Sequence, residues 1–149
     1  METHINYVLS LVNQRLYLLN QLRKQGLSAK AREVVFHSLV ISRLLYALPA
    51  FVGFLSGADI ARFNSVFRKS VRWGIIDRMF DFDELSISSQ DQLFKRFRSN
   101  LNHCLHRLLP ELRNTCYMLR QRGHSFSLPV VSRTLFKKSF VVNYLYSHM

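Results

Sequence analysis

The stretch from Val34 to Leu55, VVFHSLVISRLLYALPAFVGFL, constrains the fold more than any other part of this chain. A transmembrane helix needs about 20 mostly apolar residues with few or no charges. Here His37 and Arg43 interrupt the run, Ser38 and Ser42 add hydroxyls, and Pro49 breaks the helix before it could cross. A central Arg on a lone span is disfavoured by roughly 3 kcal/mol on insertion scales, and no acid lies within the run to pair with it. The expectation is therefore a buried helix ending at Pro49, followed by a short apolar turn and covered by helices with one apolar face each.

The flanking sequence fits that arrangement. Ile5, Val8, Leu9, Val12, Leu16, Leu19 and Leu22 keep a three-four spacing that predicts a helix from about Thr3 to Gln25, with Gly26 as its stop. Ser28 reads as the N-cap of the second helix, in which Leu39 and Leu44 are expected to be buried. Ser56 to Asp59 has the form of a capping box and opens a third helix, with Ile60, Phe63, Phe67 and Val71 inward. With only 5 Gly and 3 Pro among 149 residues, there is little material for hairpins. The fold class expected is all-α: a small helical bundle at 1–76, an acidic connector at 77–91, and a basic helix and irregular tail at 92–149.

The connector carries Asp77, Asp81, Asp83, Glu84 and Asp91 against Arg78, and is expected to hold one helical turn near Asp83 to Leu85. A longer helix is expected from Asp91 to Leu109, with Leu93, Phe94, Phe97, Leu101, Cys104, Leu105 and Leu108 inward, ended by Pro110. Irregular or β-like structure follows to about Thr134, and the last stretch fits a helix or a strand.

No catalytic centre or metal site is expected. Asp81 and Asp83 form a D-x-D, but two-metal catalysis needs carboxylates held on rigid elements and no third is convincingly placed, so acids near a helix start, favoured by its dipole, are the better reading. His103, Cys104 and His106 lack the paired spacing of a zinc site. Cys104 and Cys116 are the only cysteines, and Glu2, His4 and Asn6 spoil an apolar leader, so reduced thiols in an intracellular (cytoplasmic or nuclear) protein are expected. The sequence calls for no cofactor.

Charge is the more informative signal. The chain has 21 Lys and Arg against 9 Asp and Glu, and from Gln92 onward ten bases face the single acid Glu111. Such an imbalance reads as affinity for nucleic acid or anionic membrane, without saying which. The candidate contacts are Arg68, Lys69 and Arg72 on the third helix, Lys95, Arg96, Arg98 and Arg107 on the next, and Arg120, Arg122, His124, Arg133, Lys137 and Lys138 beyond. Tyr117, Phe126, Phe136, Phe140, Tyr144 and Tyr146 interleave with them, as in sequence-tolerant binding by phosphate neutralisation and base stacking. A solvated helix face with core aromatics is the competing reading.

Three stretches resemble the region downstream of the polymerase core in reverse transcriptases of LINE-type, jockey-like (non-long-terminal-repeat) retrotransposons. They are HINYVLSLVNQRLYLLNQLRKQGLS (4–28), SLVISRLLYALPAFVGFLSGADIARFNSVFRKSVRWGI (38–75), and the pair LHRLLPEL (105–112) and LRQRGHSFSLPVVSRTLFKKSF (119–140). The resemblance implies a thumb-like helical region and a basic tail that contact template-primer RNA and DNA through the backbone, without polymerase activity of their own. The Tyr-x-Asp-Asp motif and its partner Asp are absent from the chain. The palm and fingers that would surround them are accordingly expected to be missing, and the chain to be a fragment of a longer frame. The alternative is a helical scaffold that docks on another polypeptide, such as that palm, without binding nucleic acid; a basic protein lying on anionic membrane is a third.

Overall fold

The computed structural model describes residues 2–113 and 124–148. These are all-α, with β pairing among the described residues limited to one antiparallel bridge between Leu112 and Phe126. The chain divides into two compact units, the first comprising 1–48 and 55–87 and the second 49–54 and 88–149.

In the first unit, α1 (Glu2–Lys24) buries Ile5, Val8, Leu9, Val12, Leu16 and Leu19 along the predicted stripe. Gly26, at φ 93°, ends it. The Gly26 N–H reaches the Arg23 carbonyl and the Leu27 N–H the Leu22 carbonyl, both at 3.1 Å, so the last carbonyls are satisfied as a left-handed cap requires. Leu22 lies in this last turn and is exposed. The Ser28 hydroxyl accepts the Ala31 N–H and opens α2 (Ala29–Phe36), as expected.

The apolar run does not form one helix to Pro49. After α2 comes a π-turn (His37–Ile41), in which the Ser42 N–H reaches back to the His37 carbonyl, then α3 (Ser42–Leu45). The hydroxyls of Ser38 and Ser42 bond the carbonyls of Val34 and Ser38, four residues back, competing with the backbone ladder. Tyr46 is then extended and Ala47 takes φ 56°, so the helix ends upstream of Pro49, which falls in the first turn of α4 (Leu48–Phe51), where its missing N–H costs nothing. By length and composition, 29–54 could cross a membrane. Here Phe36, Val40, Ile41, Leu44 and Leu48 are buried instead. The extra residue of the π-turn rotates the faces, leaving Leu39 39% exposed and Leu44 1%. The expectation that both are core is corrected for Leu39.

The capping box of α5 (Gly57–Arg72) is as expected, Ser56 and Asp59 exchanging bonds in both directions. The Ser56 hydroxyl and N–H, and then Arg62, hold the Asp59 carboxyl below its ordinary range. Helices α1 and α5 run parallel in matched register: Arg62 donates to Asn6 at 2.6 Å and Lys69 to Asn13 at 3.0 Å, seven residues further along both. Gly74, at φ 62°, closes α5 with a second left-handed cap. Beyond it Phe80 packs on Phe36, and Phe82 stacks on Phe63 with centroids 4.5 Å apart.

The acidic segment is more helical than its composition suggests. A single helix, α6 (Phe82–Ser99), replaces the isolated turn and the later helix. Its free N-terminal donors are met by polar side chains: Asn64 accepts the Phe82 N–H at 2.9 Å, and the Asp81 carboxylate accepts the Asp83 N–H at 2.8 Å. Asp83 and Glu84 fall in the first turn, favoured by the helix dipole. The helix stops at Ser99, ten residues before the expected end at Leu109. The Asn100 side chain accepts the Asn102 N–H, offering the backbone a turn in place of the ladder. Leu101, Cys104 and Leu108, expected inward, are therefore exposed.

In the second unit, Phe94 and Phe97 of α6 pack with Phe126, Val141, Tyr144 and Leu145. The last stretch, left open between helix and strand, is helical: α7 (Thr134–Lys137) and α8 (Phe140–Ser147). Gly53 lies in a 3-10 turn (Val52–Phe54) directly against the Lys138 carbonyl, leaving no room for a Cβ.

Candidate nucleic-acid interface

Two of the four cations of α5 are fixed and two are open. Arg62 is held by Asn6 and by Asp59 at 3.5 Å. Lys69 is held by Asn13 and lies 4.5 Å from the Trp73 ring centroid. Arg68 and Arg72, one turn apart, are exposed on the solvent stripe. Of the predicted α5 set, the structure therefore leaves those two uncommitted and ties Lys69 to α1.

In the second unit, Lys95, Arg96 and Arg98 are exposed on α6 while the adjacent Phe94 and Phe97 are buried in the core. Arg98 sits 5.8 Å from the Phe126 ring centroid. Arg107 is exposed in a 3-10 turn (His106–Leu108). Arg133, Lys137 and Lys138 are exposed around α7, with Lys137 5.1 Å from the Tyr146 ring. Arg133, Lys137 and Tyr146 share a shallow depression of about 280 Å³. Arg120 and Arg122, with Tyr117 and Cys116, lie outside the described residues.

His124 is engaged internally. Its Nδ1 accepts the Phe126 N–H at 3.2 Å, so Nε2 carries the proton and donates to the Leu145 carbonyl at 2.7 Å. This half-buried ring ties the Leu112–Phe126 bridge to α8 and has no nitrogen left for a ligand. His103 and His106 are likewise bonded to backbone groups, at Leu105 N–H and the Phe97 carbonyl. Among the described residues no three His, Cys, Asp or Glu side chains cluster as metal ligands.

The interleaved aromatics are corrected most strongly. Phe126 is 6% exposed and Tyr144 8%, and Tyr144 stacks on Phe94 with centroids 4.1 Å apart. The Tyr144 hydroxyl donates to Asp91 at 2.8 Å. Burial first, then this bond and the Asp91 charge, push its phenol well above the ordinary tyrosine range, against a smaller opposing pull from Arg98. These rings are core, because spacing alone does not tell an aromatic that faces the core from one that faces solvent. Phe136 and Tyr146 retain accessible surface.

One cation outside the predicted set stands out. Arg43, noted in the sequence only as an interruption of the apolar run, lies with its Cζ 5.6 Å from the Tyr7 ring centroid and 5.8 Å from that of Tyr46. It is half-buried and follows a π-turn that no composition signal announces.

No protein-family profile, curated protein or solved structure matches the chain.

Proposed function

We propose that the chain is a non-catalytic piece of a LINE-type retrotransposon reverse transcriptase, acting inside the cell, that grips template-primer nucleic acid by its backbone phosphates. One observation carries this reading: among the described residues, Arg68, Arg72, Lys95, Arg96, Arg107, Arg133 and Lys138 are exposed and none pairs with a carboxylate. No carboxylate among the described residues compensates their charge, and free cations of this kind are what phosphate neutralisation and counterion release require. Arg predominates, and its planar fork suits phosphate. The three stretches that resemble the family support the identity of the parent enzyme. Contacts of this kind position a duplex without reading its sequence, and the polymerase chemistry would reside in a palm and fingers absent from this chain.

A second reading, a scaffold that docks on another polypeptide, is favoured by an apolar groove of about 440 Å³ within the second unit, lined by Phe54, Leu105, Leu108, Phe136 and Val142 among others. Fluorescence anisotropy of the whole chain against single strand, duplex and RNA–DNA hybrid of unrelated sequences separates the two. The nucleic-acid reading expects binding at low salt that differs little between sequences. It also expects Arg68→Gln, Arg72→Gln, Lys95→Gln and Arg96→Gln together to weaken all of them alike. Absence of binding at low salt would leave the scaffold.

A further inference from the structure

Three irregularities of the first unit converge on a half-buried cation beside two exposed rings. The π-turn at His37–Ile41 inserts a residue into an otherwise continuous helix, a distortion found often at functional positions. Five residues after it, Tyr46 leaves the helix in an extended conformation, and Ala47 adopts φ 56°, a left-handed conformation unfavourable for a residue with a Cβ. Between these two distortions lies Arg43, flanked by the rings of Tyr7 from α1 and Tyr46. Its guanidinium carbon lies 5.6 and 5.8 Å from the two ring centroids, within the range in which a ring attracts a cation.

The three side chains are unspent. Tyr7 is 55% exposed and Tyr46 70%, and neither hydroxyl has a hydrogen-bond partner among the described residues. Arg43 meets no carboxylate and no acceptor there, and its Nε is buried without a hydrogen-bond partner beside the two rings. A second cation stands nearby, Arg15, whose guanidinium is anchored to the Leu39 carbonyl inside the π-turn. Two largely exposed rings beside a guanidinium with no carboxylate partner match one ligand chemistry: an unpaired nucleobase for the ring and a backbone phosphate for the fork.

We propose that Tyr7, Arg43 and Tyr46 form a base-stacking site for single-stranded nucleic acid, which gives this unit a preference for unpaired strand that its phosphate contacts lack. The proposal rests on the nucleic-acid reading above and adds strand selectivity to it. Stacked duplex bases present no free face to these rings, so the site discriminates by availability of the base and not by its identity.

The test uses the whole chain and two probes, a short single-stranded RNA carrying 5-iodouridine and a duplex of the same sequence. Irradiation is expected to cross-link the single strand to a peptide containing Tyr7 or Tyr46. In anisotropy titrations Tyr46→Ser is expected to weaken single-strand binding about 5- to 100-fold while changing duplex binding less than about twofold, and to leave the salt slope unchanged because no phosphate contact is lost. Tyr46→Phe, which keeps the ring, is expected to retain wild-type affinity, and Arg43→Gln to flatten the slope by about one contact. Both rings are exposed, so these substitutions leave no core cavity. Wild-type binding with no cross-link at either tyrosine, or equal losses on single strand and duplex, would overturn the site and leave the phosphate reading standing. No binding by the wild type would overturn both.

Discussion

Removing the Tyr144 hydroxyl isolates a part-buried polar contact at the margin of the second core. The phenol donates to Asp91 at 2.8 Å, and its ring is stacked on Phe94 and on His148, with centroids 4.1 and 4.0 Å apart. A hydrogen bond to a charged acceptor is worth about 1.5–3 kcal/mol. The Asp91 side chain is 34% exposed, so water replaces part of the lost bond and Tyr144→Phe is expected to cost about 1 kcal/mol. Urea unfolding followed by far-UV circular dichroism would register this as a midpoint lowered by about half a molar. The same bond has a signature in pH. Because folding raises the Tyr144 pKa, its contribution is fully present below the unfolded value near 10 and declines as pH rises above it, by up to about 1.4 kcal/mol per pH unit. The stability difference between wild type and Tyr144→Phe should therefore shrink between about pH 10 and 11. Equal stability at neutral pH together with an unchanged difference at alkaline pH would refute the placement of this hydroxyl. Tyr144→Ala, which also empties the ring's site, should cost about 3–5 kcal/mol.

Leu44→Ala should cost about 2–5 kcal/mol in the same assay and Leu39→Ala less than about 1, since the π-turn buries the first and turns the second outward. Equal costs would mean that the helix runs through 37–41 without the insertion. Gly53→Ala should destabilise by about 1–3 kcal/mol, because the new methyl would meet the Lys138 carbonyl, a backbone atom that cannot swing away; a neutral result would mean that the two backbones lie far enough apart to admit a methyl.

What the sequence disclosed was periodic or capped. The α1 stripe, the Ser28 N-cap, the Gly26 stop and the Ser56–Asp59 box follow from local chemistry, and each stands where it was expected. What it did not disclose depended on partners distant in the chain. Asn64 and Asp81 together start α6 upstream of its expected position, and Asn64 is remote in sequence from the end it satisfies. Asn13 falls off the apolar stripe of α1, yet its side chain bonds both the Leu9 carbonyl and Lys69. The candidate cations were legible from charge, because exposed Lys and Arg are cheap to place on solvated helix faces. Which aromatics stay at the surface was not. Phe126 and Tyr144 turned inward, and the exposed rings beside Arg43 belong to segments whose sequence is dominated by apolar residues.

The claim that these surfaces hold nucleic acid through phosphates is tested most directly by the salt dependence of binding. With about five phosphate contacts, a plot of log affinity against log salt should have a slope of about −3.5 for single strand and −4.5 for duplex. Converting Lys95, Arg96 and Arg98 to Gln should flatten either slope by about 2 to 3. A slope near zero, or one that the triple substitution leaves unchanged, would contradict the account.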